Sequence, residues 1–210
     1  MSLFRLCVLS LALVGGSAAT VVALPSQQAP GQKAPAAAAT NDGKWSIDPV
    51  HSKALFRVMH LGAGAFWGKF DDVTGSITYY GGDKAPEFDV SVAIESIHSG
   101  NENLDKHLKS PDFFNAKEFP AMTFKSKNGV LKSPGTWEVC GDLSMHGQTH
   151  EACATITMTG SADMGRGPKA GFEATFTIKR SQWGMTYGVE KNSLGDEVRV
   201  IVALEAGKAS

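Results

Sequence analysis

From Ala54 onward the apolar residues fall at every second position. Phe56, Val58 and His60 share one face of a strand, with Lys53, Arg57 and Met59 on the other. A second row is Phe88, Val90, Val92 and Ile94, opposed by Asp89, Ser91 and Glu95. A third is Phe172, Ala174, Phe176 and Ile178, opposed by Glu173, Thr175, Thr177 and Lys179. A fourth is Val198, Val200, Val202 and Leu204, opposed in part by Glu197, Arg199 and Glu205. Successive side chains leave opposite sides of a strand, so a period of two with one wet face predicts antiparallel sheet.

The stretch from Phe66 to Tyr79 changes phase. Phe66, Gly68 and Phe70 are even, whereas Val73, Gly75, Ile77 and Tyr79 are odd, which places a one-residue slip at Asp71-Asp72. A β-bulge produces such a slip, and bulges with glycine kinks bend a sheet toward closure. Gly62, Gly64, Gly68 and Gly75 fall in or beside this bend.

One segment abandons the period of two. Asn101 to Lys109 places Leu104, His107 and Leu108 at i, i+3 and i+4, which predicts a short helix stopping before Pro111. Phe113, Phe114 and Phe119 follow, and Pro120 leads into a strand carrying Met122 and Phe124. The phenylalanines around the helix form either a lid over an apolar interior or a core cap without a ligand.

Trp137 to Met145 and His150 to Met158 read as a hairpin around His146-Gly147-Gln148-Thr149. With Trp137, Val139, Leu143 and Met145 inward on one strand, and Ala152, Ala154, Ile156 and Met158 inward on the other, Cys140 and Cys153 both face outward. A two-residue turn at His146-Gly147 sets the cysteines opposite each other, within reach of a disulfide. Free thiols, or a turn one register longer, are the alternatives.

The N-terminus has a different character. Arg5 precedes an apolar run, Leu6 to Val14, and then Gly15, Gly16 and small residues. This is the layout of a secretory signal peptide, residues 1–23, with cleavage after Ala19 or Ala23; an uncleaved anchor is the alternative. Cys7 leaves with the signal. Residues 24–43 are rich in Ala, Pro and Gln and read as a linker, since they cannot bury enough surface to offset their ordering entropy. The folded unit then spans 44–206, with 207–210 as a tail. Two cysteines remain in a chain bound for an oxidising compartment.

Composition narrows the function. The full chain of 210 residues carries Lys+Arg 20 against Asp+Glu 21, so it lacks the basic surplus that a phosphate backbone requires, and nucleic acid is not an expected partner. Its 23 glycines exceed the usual share of roughly 7% and suit a sheet with many turns. No glycine-rich phosphate loop, G-x-S-x-G elbow or C-x-x-C pair is present. The six histidines show no ligand spacing, and a metal site needs three or four convergent ligands. Two inward polar residues stand out, His60 beyond Phe56 and Val58, and Arg180 beyond Phe176 and Ile178. A buried charge is costly without partners, so Arg180 has to meet a carboxylate, solvent or a ligand; together with His60 it would mark the polar mouth of an apolar cavity.

Several blocks now resemble YceI-like domains. They begin with Trp45-Ser46-Ile47-Asp48-Pro49-Val50-His51-Ser52 and Phe56-Arg57-Val58-Met59-His60-Leu61-Gly62, and continue with Gly68-Lys69-Phe70, Gly75-Ser76-Ile77 and Ser96-Ile97-His98-Ser99-Gly100-Asn101. His107-Leu108-Lys109-Ser110-Pro111-Asp112-Phe113-Phe114, Phe119-Pro120-Ala121-Met122-Thr123-Phe124, Gly141-Asp142-Leu143-Ser144-Met145-His146-Gly147 and Arg180-Ser181-Gln182-Trp183-Gly184-Met185 complete the set. The resemblance implies an exported, lipocalin-like antiparallel β-barrel of about eight strands with a short helix as lid. Its apolar interior would hold a polyisoprenoid or other long-chain amphiphile, with no enzymatic step and no cofactor beyond a bound isoprenoid quinone or lipid. It also implies a periplasmic location, against secretion or tethering by an uncleaved N-terminal segment. The cysteine pair and the linker depart from the family pattern.

The expected lining is Phe56, Val58, His60, Phe66, Phe70, Ile77, Phe88, Val90, Val92, Ile94, Leu104, Leu108, Phe113, Phe114, Met122, Phe124, Phe172, Phe176, Arg180, Val200 and Val202. The expected partner is the long-chain lipid, with transient membrane contact and a homodimer as further partners to test. Two other classes stay open: a protein-interaction or stress module with a filled barrel, and a metal-dependent hydrolase using His51, His60 or His107.

Overall fold

The computed structural model describes residues 43–208; the expected signal peptide and all but the last residue of the expected linker lie outside the described residues. The strand segments are β1 (Gly43–Ile47), β2 (Lys53–His60), β3 (Gly64–Phe70), β4 (Val73–Tyr79), β5 (Glu87–Ala93), β6 (Ile97–His98), β7 (Ala121–Ser133), β8 (Thr136–Met145), β9 (Gln148–Asp163), β10 (Pro168–Lys179) and β11 (Leu194–Lys208). One helix, α1 (Glu102–Leu108), lies between β6 and β7. Both β1 and β2 pair along β11, β4 pairs with β1 and β3 with β2, while β4 and β3 pair in turn with β5 and β6. Three interrupted staves, β1/β2, β3/β4 and β5/β6, thus join the five continuous strands in a closed antiparallel barrel of eight staves. The fourth alternating row closes it, because β11 pairs with β10 on one side and with β1 and β2 on the other.

The phase slip at Asp71-Asp72 is a complete break between β3 and β4, where the sequence pattern predicts a bulge inside one strand. The ladder stops because the backbone there serves neighbouring breaks: Asp71 N–H donates to the Ser96 carbonyl (3.1 Å) and Ala93 N–H to the Asp72 carbonyl (3.1 Å). The Lys53 ammonium donates to the Asp71 carbonyl (2.9 Å). In the first stave the break at 48–52 is filled by Ser52, fully buried, whose hydroxyl accepts from Glu205 N–H (3.0 Å). Gly75 fits its sharp position for two reasons: its φ is +131°, and a Cβ there would stand 2.1 Å from the Asp89 carbonyl oxygen. The strands also run slightly past the expected limits, since Gly43 begins β1 while Gly207 and Lys208 pair in β11 and so belong to the barrel and not to a tail.

The hairpin of β8 and β9 has the shorter of the two registers that the sequence left open. Met145 pairs with Gln148, leaving His146 and Gly147 at φ values of 49° and 73°, the conformation that suits a two-residue hairpin turn. Cys140 therefore stands opposite Cys153, and the two are joined in a disulfide on the barrel's outer face. The helix forms where the pattern places it, since the Asn101 side chain accepts from the N–H groups of Asn103 and Leu104 and caps its first turn.

One end of the barrel is solid. Trp45, Trp137, Ile77 and Phe172 are at most 1% exposed. Phe172 packs edge-on against Tyr79 (5.6 Å between ring centres) and Phe88 (5.8 Å), and Tyr79 packs against Trp137 (6.2 Å). The buried Trp137 indole N–H finds the Asp83 carbonyl at 3.0 Å. These rings form a floor.

Candidate functional site

Above the floor the interior is hollow, with a cavity of about 510 Å³. From β2 come Phe56 and Val58, with His60 at the rim; from β3 come Phe66 and Phe70. Phe88, Val90 and Val92 line it from β5, Met122 and Phe124 from β7, Phe176 from β10, and Val200 and Val202 from β11. Leu104 and Leu108 of α1 and the following Phe113 and Phe114 complete the wall, so the segment after β6 serves as a lid that touches the cavity. Phe70 meets Phe114 edge-on at 5.3 Å across this junction. Gly68 makes room for Phe56, whose ring would be 2.4 Å from any Cβ at that position.

Small side chains keep the space open. Ala54, Ala152, Ala154 and Ala174 all face the cavity from β2, β9 and β10. At these inward positions a leucine or phenylalanine would fill the middle of the barrel, as the tryptophans fill its floor. His60, Gly64 and Ala65 are exposed to solvent and also line the cavity, which places the opening at the β2–β3 hairpin. Beside it β3 has a free edge. Its residues from 64 to 68 pair only with β2 among the described residues, because β6 reaches no further than Lys69 and Phe70.

The YceI-like domain model matches residues 45–206, the whole of this barrel but for its outermost residues. The chain belongs to the YceI-like family. The UPF0312 protein of Yersinia pestis is 33% identical over 168 residues, covering 78% of this chain and 85% of that protein. Among solved structures, BcnA of Burkholderia cenocepacia superposes with a TM-score of 0.67 at 21% identity, covering 76% of this chain and 98% of BcnA. A polyisoprenoid binding domain from Saccharophagus degradans, implicated in plant cell wall breakdown, superposes with a TM-score of 0.62 at 14% identity, covering 79% and 98%. At these identities the two structures speak for the fold.

Three expected lining residues of this YceI-like barrel are placed elsewhere. Ile77 and Phe172 lie on the inward face but belong to the floor, where Phe172 is held between Tyr79 and Phe88. Ile94 comes after the end of β5, in a short 3₁₀ turn (Ile94–Ser96), and is buried in the core outside the cavity wall. The sequence reading also left lining residues out. Besides the alanines, these include Leu143 and Met145 of β8, and Met185 from the loop after β10. The β8 pair sits on the inward face already recognised by periodicity; Met185 follows no period.

Arg180 is buried, at 4% exposed, and faces the cavity end as the alternation predicts. Its partners are four backbone carbonyls. Nε donates to Gly195 (2.8 Å), one terminal nitrogen to Met185 (2.7 Å), and the other to Tyr187 (2.7 Å) and Leu194 (3.1 Å). Burial draws the guanidinium pKa below its ordinary value, with the nearby Asp196 carboxylate acting against that. The side chain thereby ties the β10–β11 loop down, and four of its five donors are spent on the protein itself.

The histidines of the hydrolase alternative do not converge. His60 stands at the opening, His107 on α1 with Nε2 at 3.0 Å from Asp112, and His51 near the floor. His51 Nδ1 lies 3.1 Å from Asp48 and 3.8 Å from Glu205, but the Lys169 ammonium is already 3.2 and 3.5 Å from the same two carboxylates. A cation is thus supplied by the chain. The hydrogen bonds from His51, then Lys169 and the Val50 N–H, outweigh partial desolvation and hold the Asp48 carboxyl down at about 2. A depressed folded-state pKa stabilises the fold above the unfolded value near 4 and loses that contribution as pH falls toward 2. Asp48→Asn should accordingly lower Tm at pH 6, with the gap to wild type closing between about pH 4 and 2 in thermal melts. An unchanged gap at pH 2.5 would show that Asp48 acts otherwise.

Proposed function

We propose that this chain binds a polyisoprenoid or similar long-chain lipid in its barrel and performs no chemical step on it. The observation that carries this reading is the hollow, aromatic- and aliphatic-lined cavity above a solid floor, open at one side beside a lid. A chain burying about 300 Å² there gains on the order of 7 kcal/mol at roughly 25 cal/mol per Å². A neutral hydrogen bond adds only about 1 kcal/mol. Family membership supports the reading, as does the binding named for the Saccharophagus degradans domain. A filled interior, which the interaction-module alternative requires, is not what the described residues form.

The same proposal includes export and a carrier role, in which the lipid is transported, stored or sequestered in the periplasm. The support is the signal-like residues 1–23 and the disulfide, which persists in an oxidising compartment. The test is extraction of natively purified full-length protein with organic solvent, followed by mass spectrometry. One lipid class should be recovered near stoichiometrically, whereas preparations that are empty every time and take up no added isoprenol would overturn the reading.

A further inference from the structure

Resting on that reading, we infer that the ligand sits tail-in and head-out, and that the barrel encloses only about 20 carbon atoms of its chain. Three observations combine. The first is polarity: inside the opening, the one charged side chain of the wall among the described residues is Arg180, and four of its five donors are taken up by the carbonyls of Met185, Tyr187, Leu194 and Gly195. A polar head drawn inward would be buried with almost nothing to bond, a costly state. His60 can meet a head group, but only at the rim, where water can do the same.

The second is volume. An apolar protein cavity of about 150 Å³ accepts benzene, or roughly 25 Å³ per carbon. On that scale 510 Å³ takes about 20 carbons, or four isoprene units. The third is the floor, whose packed rings allow no passage out of the far end. A longer chain therefore has to leave through the same side opening, past Gly64 and Ala65. The ligand class that fits is a single-chain amphiphile recognised by its apolar terminus, and any polyisoprenoid longer than four units is held by that end alone.

The experiment is a titration of delipidated full-length protein with isoprenols of two, three, four, six and nine units, alongside the methyl ether of each. Affinity should rise at least tenfold per unit up to four and then level off, since added units contribute only while they are buried. Alcohol and ether should agree within about threefold, and His60→Ala should move either by no more than that, because the head remains hydrated. Ala174→Leu, which adds three carbons to the cavity wall, should bring the plateau forward to three units. Tenfold gains continuing to six or nine units would overturn the inference, as would tenfold discrimination between alcohol and ether, with lipid binding itself intact. No binding by any isoprenol at any length would remove the lipid reading, and this inference with it.

Discussion

Arg180→Met is expected to lower Tm by about 8–16 °C. Methionine fills much of the same space but donates nothing, so the carbonyls of Met185, Tyr187, Leu194 and Gly195 lose their shared partner at once. Each buried acceptor left unpaired costs about 1–3 kcal/mol, less where water can reach it. A net loss of ~4 kcal/mol corresponds to roughly 8–16 °C for a chain of this size. Arg180→Lys should fall between, since an ammonium has three donors and no fork to span both sides of the loop. Differential scanning calorimetry reads both, and a shift under 2 °C for Arg180→Met would mean that the loop holds itself down.

The second large effect is at the floor. Phe172→Ala removes a ring that is 1% exposed and packs edge-on against Tyr79 and Phe88, and should cost about 3–5 kcal/mol. The void it leaves adjoins the cavity through Phe88, so the same variant should also accept a longer isoprenol than wild type. The two readouts move in opposite directions, a lower Tm in the empty protein and a deeper pocket. A loss of stability with no gain in chain length would place Phe172 outside the partition between solid and hollow.

These two residues also show how far the sequence could be read. Alternation marks a face, and the rows through Phe56, Phe88, Phe176 and Val200 are cavity wall because that face turns inward all around the barrel. It carries no information about height along the barrel axis. Phe172 and Ala174 are neighbours on one inward row, yet one belongs to the floor and the other to the void. Height is set by which residues of distant strands share a level, such as Phe172 with Met158 and Leu204, and pairing register between strands far apart in sequence has no local signature. The disulfide was legible because its register depends on one short turn. The partners of Arg180 were not, since they are backbone carbonyls, two in an aperiodic loop and two at the very start of β11. The alanines carried a readable signal: inward and repeated on β2, β9 and β10, they are what a hollow barrel requires.

The cavity also gives the molecule a mechanical character. A void of this size vanishes when the chain unfolds, so the unloaded barrel occupies more volume than its own unfolded state. Compression acts on that difference, favouring collapse of the unloaded form, whereas a seated chain removes most of it. The guest therefore acts as an internal strut against pressure.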